Sequence, residues 1–83
     1  MEKYRVLVVD DEEDICEILQ YNLVKAGYDV DVANSAEDAL YMLRNHFDII
    51  LLDIMMGGIS GLKMAQFIRE EYKSTIPIIF ITA

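Results

Sequence analysis

The sequence predicts a three-layer α/β fold, a parallel sheet with helices on both faces. Two observations carry that prediction. Short runs rich in valine, isoleucine and leucine alternate with segments whose apolar residues recur every three or four positions. The run from Phe47 to Leu52 is also apolar almost without interruption, as expected of a strand buried on both faces. A third observation bears on function. That run ends in Asp53 just before a glycine-bearing turn, and in open parallel sheets ligands sit outside the carboxyl ends of the strands.

Taken in order, Tyr4 to Val9 reads as a buried strand that gives way abruptly to Asp10-Asp11-Glu12-Glu13-Asp14. Ile15, Ile18, Leu19, Leu23 and Ala26 then mark one face of a helix, with acids at its positive end and Gly27 placed to close it. Asp29 to Ala33 alternates polar and apolar residues, which suits a sheet edge. Ser35 reads as an N-cap, with Asp38 completing a weak capping box and Ala36, Ala39, Leu40 and Leu43 forming the buried face. A third helix begins near Ser60 or Gly61 and is expected to bury Leu62, Ala65, Ile68 and Tyr72. Thr75 to Thr82 is the fourth strand, with Pro77 near its start, where a missing donor is tolerated. The pattern is β-α-β-α-β-α-β, joined by right-handed crossovers.

Composition narrows the functional classes. With 83 residues there is room for one small domain, and 54% hydrophobic content makes it globular. A net charge of -8 argues against nucleic-acid binding by this segment and favours a cation or a basic partner. No apolar stretch is long enough to span a bilayer. The single Cys16 excludes an internal disulfide, and without a secretory h-region the expected location is the cytoplasm.

Three strands end in polar groups that can converge: Asp10-Asp11, Asp53 and Thr82. Gathered carboxylates repel one another unless a cation lies between them, and oxygen-only ligands favour a hard ion such as Mg²⁺. A carboxylate nucleophile beside Mg²⁺ is a recurring arrangement for phosphoryl transfer. Bland readings compete. Acidic runs before helices usually cap them, which accounts for Glu12 to Asp14, and Thr is a common strand residue. Met55 and Met56 read as packing residues, His46 as an ordinary surface histidine and Cys16 as a structural thiol. Gly57, Gly58 and Gly61 fit turn geometry better than a phosphate cradle, since no G-x-G-x-x-G or Walker lysine is present.

Val8-Val9-Asp10-Asp11, Leu51-Leu52-Asp53-Ile54-Met55-Met56 with Gly61 eight residues after Asp53, and Ile81-Thr82-Ala83 together resemble the receiver domain of two-component response regulators. Ala26-Gly27-Tyr28 and the Ala33…Ala39-Leu40 spacing are similar to that family too. The resemblance runs along the whole chain. It implies a flavodoxin-like sheet of order 2-1-3-4-5, of which this sequence supplies 2-1-3-4. It makes Asp53 the phosphoacceptor, and Asp11, Asp53 and the Met55 backbone carbonyl the Mg²⁺ ligands, with Asp10 acting through water. Thr82 is then the switch hydroxyl. The implied partner is a sensor histidine kinase that docks around Asp14, Ile15 and Ile18, and the implied output is a DNA-binding effector domain outside this sequence.

The resemblance has departures. Gly57 stands where the family usually has proline and Ser60 where an acid is common, and both changes loosen the loop without touching a ligand. Receivers continue through a fourth helix, a fifth strand and a fifth helix, and the fifth strand carries a lysine that pairs with the phosphoryl group. None of Lys3, Lys25, Lys63 or Lys73 replaces it. Residues 1–83 are therefore expected to be the N-terminal part of a receiver, cut after its fourth strand, and the free edge of that strand is expected to favour dimerisation or domain swapping. Two other functional readings stand beside phosphoacceptance. One is a non-signalling interaction fragment. The other is a haloacid-dehalogenase-like phosphatase, which needs an acid where this chain has Met55.

Overall fold

The computed structural model describes residues 3–57 and 60–81. Its elements run β1 (Arg5–Val9), α1 (Glu13–Lys25), β2 (Asp29–Ala33), α2 (Ala36–Met42), β3 (Ile49–Asp53), α3 (Gly61–Glu70) and β4 (Ile78–Ile81). All neighbouring strands pair in parallel, in the order β2-β1-β3-β4. The alternating strand Asp29–Ala33 is an edge, as its pattern predicts, and the continuous apolar runs of β1 and β3 are central. Their registers set Val6 beside both Val30 and Ile49, and Val9 beside both Ala33 and Leu52.

Side chains alternate across a strand, so the sheet supports two cores. On one face Leu7, Val9, Ile50 and Leu52 meet Ala36 and Ala39 of α2 and Met64 and Ile68 of α3. On the other, Val6 and Val8 meet Cys16, Leu19 and Leu23 of α1. One helix on one face and two on the other is the arrangement that right-handed crossovers produce from this strand order.

The expected faces hold for α2 and in part for α1 and α3, where Leu19, Leu23, Ala65 and Ile68 face inward but other members of each stripe differ. In α1 the inward stripe is Cys16, Leu19, Gln20 and Leu23, with spacing i, i+3, i+4, i+7, while Ile18 is 62% exposed and Ala26 faces solvent. Gln20 belongs on this stripe because its amide Nε2 donates to the Val30 carbonyl, which offsets burial of a polar group. In α3 the stripe is Gly61, Met64, Ala65 and Ile68, so Leu62, one position off it, is exposed, as is Tyr72 beyond the helix end. An apolar residue adjacent to a stripe is about 100° away from it, too far to share the core.

Caps and turns follow the sequence closely. The Ser35 hydroxyl accepts from the Asp38 N–H and the Ser60 hydroxyl from the Lys63 N–H. Helix α1 closes in a Schellman motif: Tyr28 N–H donates to the Leu23 carbonyl, Gly27 N–H to that of Val24, and Gly27 sits at φ +104°. The fourth strand starts at Ile78 rather than Thr75. Ahead of it the Ser74 hydroxyl takes the Ile76 N–H and the Arg69 guanidinium takes the Ser74 and Ile76 carbonyls, so these groups are satisfied outside the ladder.

At the end of the sheet opposite the acids, Arg5 acts as a clamp. Its N–H donates to Asp48 Oδ2 at 2.8 Å, and its guanidinium reaches the His46 carbonyl, Asp31 Oδ2 and the face of Phe47. The Arg5 N–H and then the His46 ring hold the Asp48 carboxyl below the usual carboxylate range. A depressed folded-state value contributes stability that is present above the unfolded-state value of about 3.9 and lost as pH falls through the folded one. Urea titrations from pH 5 down to pH 2 are therefore expected to show a shallower acid limb for Asp48→Asn than for the native chain. Equal slopes would assign the acid limb to other carboxylates.

Candidate functional site: an acidic cluster at the strand ends

The register of the central strands brings the acids together. Asp53 is the last residue of β3, and Asp10 follows β1 with its N–H still donating to the Ala33 carbonyl of β2. Asp11 is the first residue of the turn into α1. One carboxylate oxygen from each of Asp10, Asp11 and Asp53 lies within 4.8 Å of the others. Asp10 is 3% and Asp53 7% exposed, while Asp11 opens to solvent.

Backbone donors fix the three side chains. Asp10 Oδ1 accepts from the Glu12 N–H at 2.9 Å, Asp53 Oδ1 from the Met55 N–H at 3.0 Å and Asp11 Oδ2 from the Gly57 N–H at 3.0 Å. The last bond ties the turn after β1 to the loop after β3. That loop is closed at its far end by the Gly61 N–H, which donates to the Ile54 carbonyl at 2.8 Å. A β-carbon on Gly61 would overlap the Asp53 carbonyl oxygen and stand 2.8 Å from its carbon, so glycine is required there by space. The Met55 side chain is 80% exposed and has nothing to hold it, while Met56 is packed, so any part Met55 takes in the site belongs to its backbone.

Electrostatics leave the cluster short of positive charge. Burial pushes the Asp10 carboxyl up, and repulsion from Asp53 and Asp11 adds to that against the opposing Glu12 N–H. Among the described residues, the Arg5–Asp31 ion pair and the His46–Asp48 hydrogen bond both lie at the other end of the sheet. Three oxygen donors, two of them buried and none neutralised by a side chain, suit a hard divalent cation. The residues present therefore fit Mg²⁺.

Of the residues singled out in the sequence, Asp10, Asp11 and Asp53 lie together at the strand ends, the Met55 N–H is on Asp53, and Thr82 lies outside the described residues. Three participants are not evident from sequence: the Gly57 N–H on Asp11, and Cys16 and Asn34, which both touch the Asp10 carbonyl.

The response regulator receiver domain model matches residues 6–83. The chain is 46% identical over 80 residues to the uncharacterized transcriptional regulatory protein YrkP of Bacillus subtilis, covering 96% of this chain and 34% of that protein. It thus spans about a third of the length of this curated relative. Among solved structures it is similar to response regulator protein TrrA of Thermotoga maritima in complex with Mg²⁺-BeF, with 44% identity, a TM-score of 0.88, and coverage of 96% of this chain and 70% of that one. TrrA in complex with the histidine kinase ThkA gives the same identity, a TM-score of 0.87 and coverage of 96% and 69%. The non-phosphorylated HemR receiver domain of Leptospira biflexa is 33% identical with a TM-score of 0.87, over 98% of this chain and 65% of that one. With a sheet of order 2-1-3-4 whose strand ends gather three aspartates, the chain belongs to the receiver domains of two-component response regulators, a family of signalling switches.

Proposed function

We propose that the chain is the N-terminal part of a receiver that accepts a phosphoryl group on Asp53 from a sensor histidine kinase. The observation that carries this reading is the convergence of Asp10, Asp11 and Asp53 at the carboxyl ends of β1 and β3. A carboxylate oxygen of Asp53 attacks phosphorus, the new O–P bond forms as the P–N bond of a phosphohistidine breaks, and the electron pair leaves with the imidazole nitrogen. Asp11, Asp53 and the Met55 carbonyl would hold Mg²⁺, with Asp10 acting through water. Bound there, Mg²⁺ would supply positive charge to offset that of the phosphoryl oxygens. The Met55 N–H keeps Asp53 oriented through Oδ1. Thr82 is assigned as the hydroxyl that turns toward the phosphoryl group.

The kinase follows from the complex that the TrrA relative forms with ThkA, and a DNA-binding output from the naming of YrkP as a transcriptional regulatory protein three times as long. Such a pathway is placed in the cytoplasm. No described helix is long and apolar enough to cross a membrane.

The test is intact mass after incubation with Mg²⁺ and acetyl phosphate. A single phosphate adduct is expected that disappears in Asp53→Asn and on chelation of the metal. An adduct that survives either change would remove Asp53, or the cation, from the reaction.

A second reading rests on β4. Its outer edge has no partner strand among the described residues, and Ile79 and Phe80, pointing to opposite faces, are 50% and 39% exposed. Such an edge pairs readily with a second copy. Sedimentation of the chain at increasing concentration is expected to show a dimer that Ile79→Lys weakens. A monomer throughout would rule this association out.

A further inference from the structure

The main-chain carbonyl of Asp10 is held by two side chains that the phosphoacceptor reading does not use. Asn34, the first residue after β2, donates from Nδ2 to this carbonyl at 3.0 Å and to Cys16 Sγ at 3.4 Å. The Cys16 thiol donates to the same carbonyl at 3.3 Å and is 2% exposed. An amide nitrogen carries two hydrogens, so Asn34 serves both acceptors at once and closes a triangle of Nδ2, Sγ and the Asp10 oxygen. On its other side the Asp10 peptide is fixed by its N–H on the Ala33 carbonyl. The Asp10 backbone is therefore held by β2 through Ala33 and Asn34 and by α1 through Cys16.

This matters because Asp10 is a costly residue to keep in place. Its carboxylate is buried and repelled by Asp53 and Asp11, and one backbone N–H, that of Glu12, holds the side chain. Left free, the turn would relax by swinging the carboxylate toward water, away from the other two acids. The carbonyl clamp opposes that movement. The same carbonyl belongs to the peptide that leads into Asp11, so the clamp also sets where the second acid starts.

We propose that Asn34 is a positioning residue for the cation site, acting through the Asp10 carbonyl with the Cys16 thiol as its second support. The proposal rests on reading Asp10, Asp11 and Asp53 as that site. Outer-shell partners of metal ligands commonly change affinity by 10–100-fold when removed. Asn34 is exposed and touches the cores only at Cys16, so its loss is expected to act on the cation and little on the fold.

Calorimetric titration with Mg²⁺ tests this on the native chain, Asn34→Ala, Cys16→Ala and Cys16→Ser. Native chain binding is expected to weaken about tenfold in Asn34→Ala. Cys16→Ala is expected to weaken it less, and Cys16→Ser to recover it, because a hydroxyl restores the donor. The Asp11 amide nitrogen resonance, which reports hydrogen bonding at the Asp10 carbonyl of the same peptide, is expected to move in Asn34→Ala before any metal is added. Thermal unfolding without Mg²⁺ is expected to differ little between Asn34→Ala and the native chain, whereas a merely structural residue would lower it with and without the ion alike. Affinity within about threefold of native in Asn34→Ala, against the range for outer-shell partners, overturns the proposal. Should that variant not fold, equal affinities for Cys16→Ala and Cys16→Ser overturn it instead. If the native chain binds no Mg²⁺, the cation-site reading fails first and the proposal with it.

Discussion

Gly61→Ala is expected to lower the unfolding free energy by about 3 kcal/mol, the upper range for overpacking, and to lower Tm by roughly 12–24 °C for a domain of this size. The added β-carbon would have to occupy the space of the Asp53 carbonyl oxygen, and backbone, unlike the far end of a flexible side chain, does not yield. Either the N-terminus of α3 moves off the sheet or the end of β3 does. In the first case Met64 and Ile68, both fully buried, lose their packing. In the second, Asp53 leaves the other two acids. The substitution is therefore expected to weaken Mg²⁺ binding even where the chain still folds. Gly57→Ala is the internal control, because its β-carbon would meet nothing closer than Asp11 Oδ2 at 3.7 Å, ordinary contact. Its cost is expected to stay within about 1 kcal/mol. Chemical denaturation of the two variants side by side checks both, and equal losses would show that the close approach at Gly61 is relieved without consequence.

Asp10→Asn is expected to move stability and cation binding in opposite directions. Without metal, the side chain is a buried carboxylate whose pKa is raised first by burial and then by its two acidic neighbours. A raised folded-state value means that the folded chain holds the proton more tightly than the unfolded one. Stability therefore falls as pH rises from the unfolded value through the folded one. Asparagine keeps the shape and the acceptor for the Glu12 N–H but carries no charge. The metal-free variant is expected to gain about 1 kcal/mol at pH 7, a usual size for coupling between contacting groups, and nothing at pH 3. Its Mg²⁺ affinity is expected to drop by an order of magnitude or more, since one of three anionic donors is gone. Denaturation at the two pH values, with and without Mg²⁺, reads all of these. A variant that is less stable than native without metal would mean that the carboxylate is compensated by charge elsewhere.

The edge position of Asp29–Ala33 and the convergence of Asp10, Asp11 and Asp53 were legible because each depends on a coarse feature, alternation or the residue at which an apolar run stops, whereas the strand order came from the resemblance to receiver domains. The helix faces were less legible. Ile18 and Leu62 are large and apolar, yet Cys16 and Met64 hold the core positions, so the count of apolar residues did not by itself fix the inward stripe. The start of β4 was misread for a related reason. Thr75 and Ile76 have strand-like side chains, but Arg69 and Ser74 satisfy the backbone there, and sequence spacing does not display a guanidinium folded back across seven residues. The Asn34 contact to Asp10 was invisible on the same ground, since it joins residues 24 apart through a side chain that is unremarkable in composition.

The loop after β3 has a consequence for how such chains diverge. It is pinned where it leaves the sheet, by Met55 on Asp53, again at Gly57 by Asp11, and where it enters α3, by Gly61 on Ile54. All three pins are backbone N–H groups, so any residue but proline can supply those at Met55 and Gly57, while Gly61 must carry no side chain. Gly57, standing where the family usually has proline, therefore adds a bond to Asp11 that proline cannot make, and Ser60 in place of an acid touches none of the three. The letters of this loop are free to drift wherever an N–H is kept.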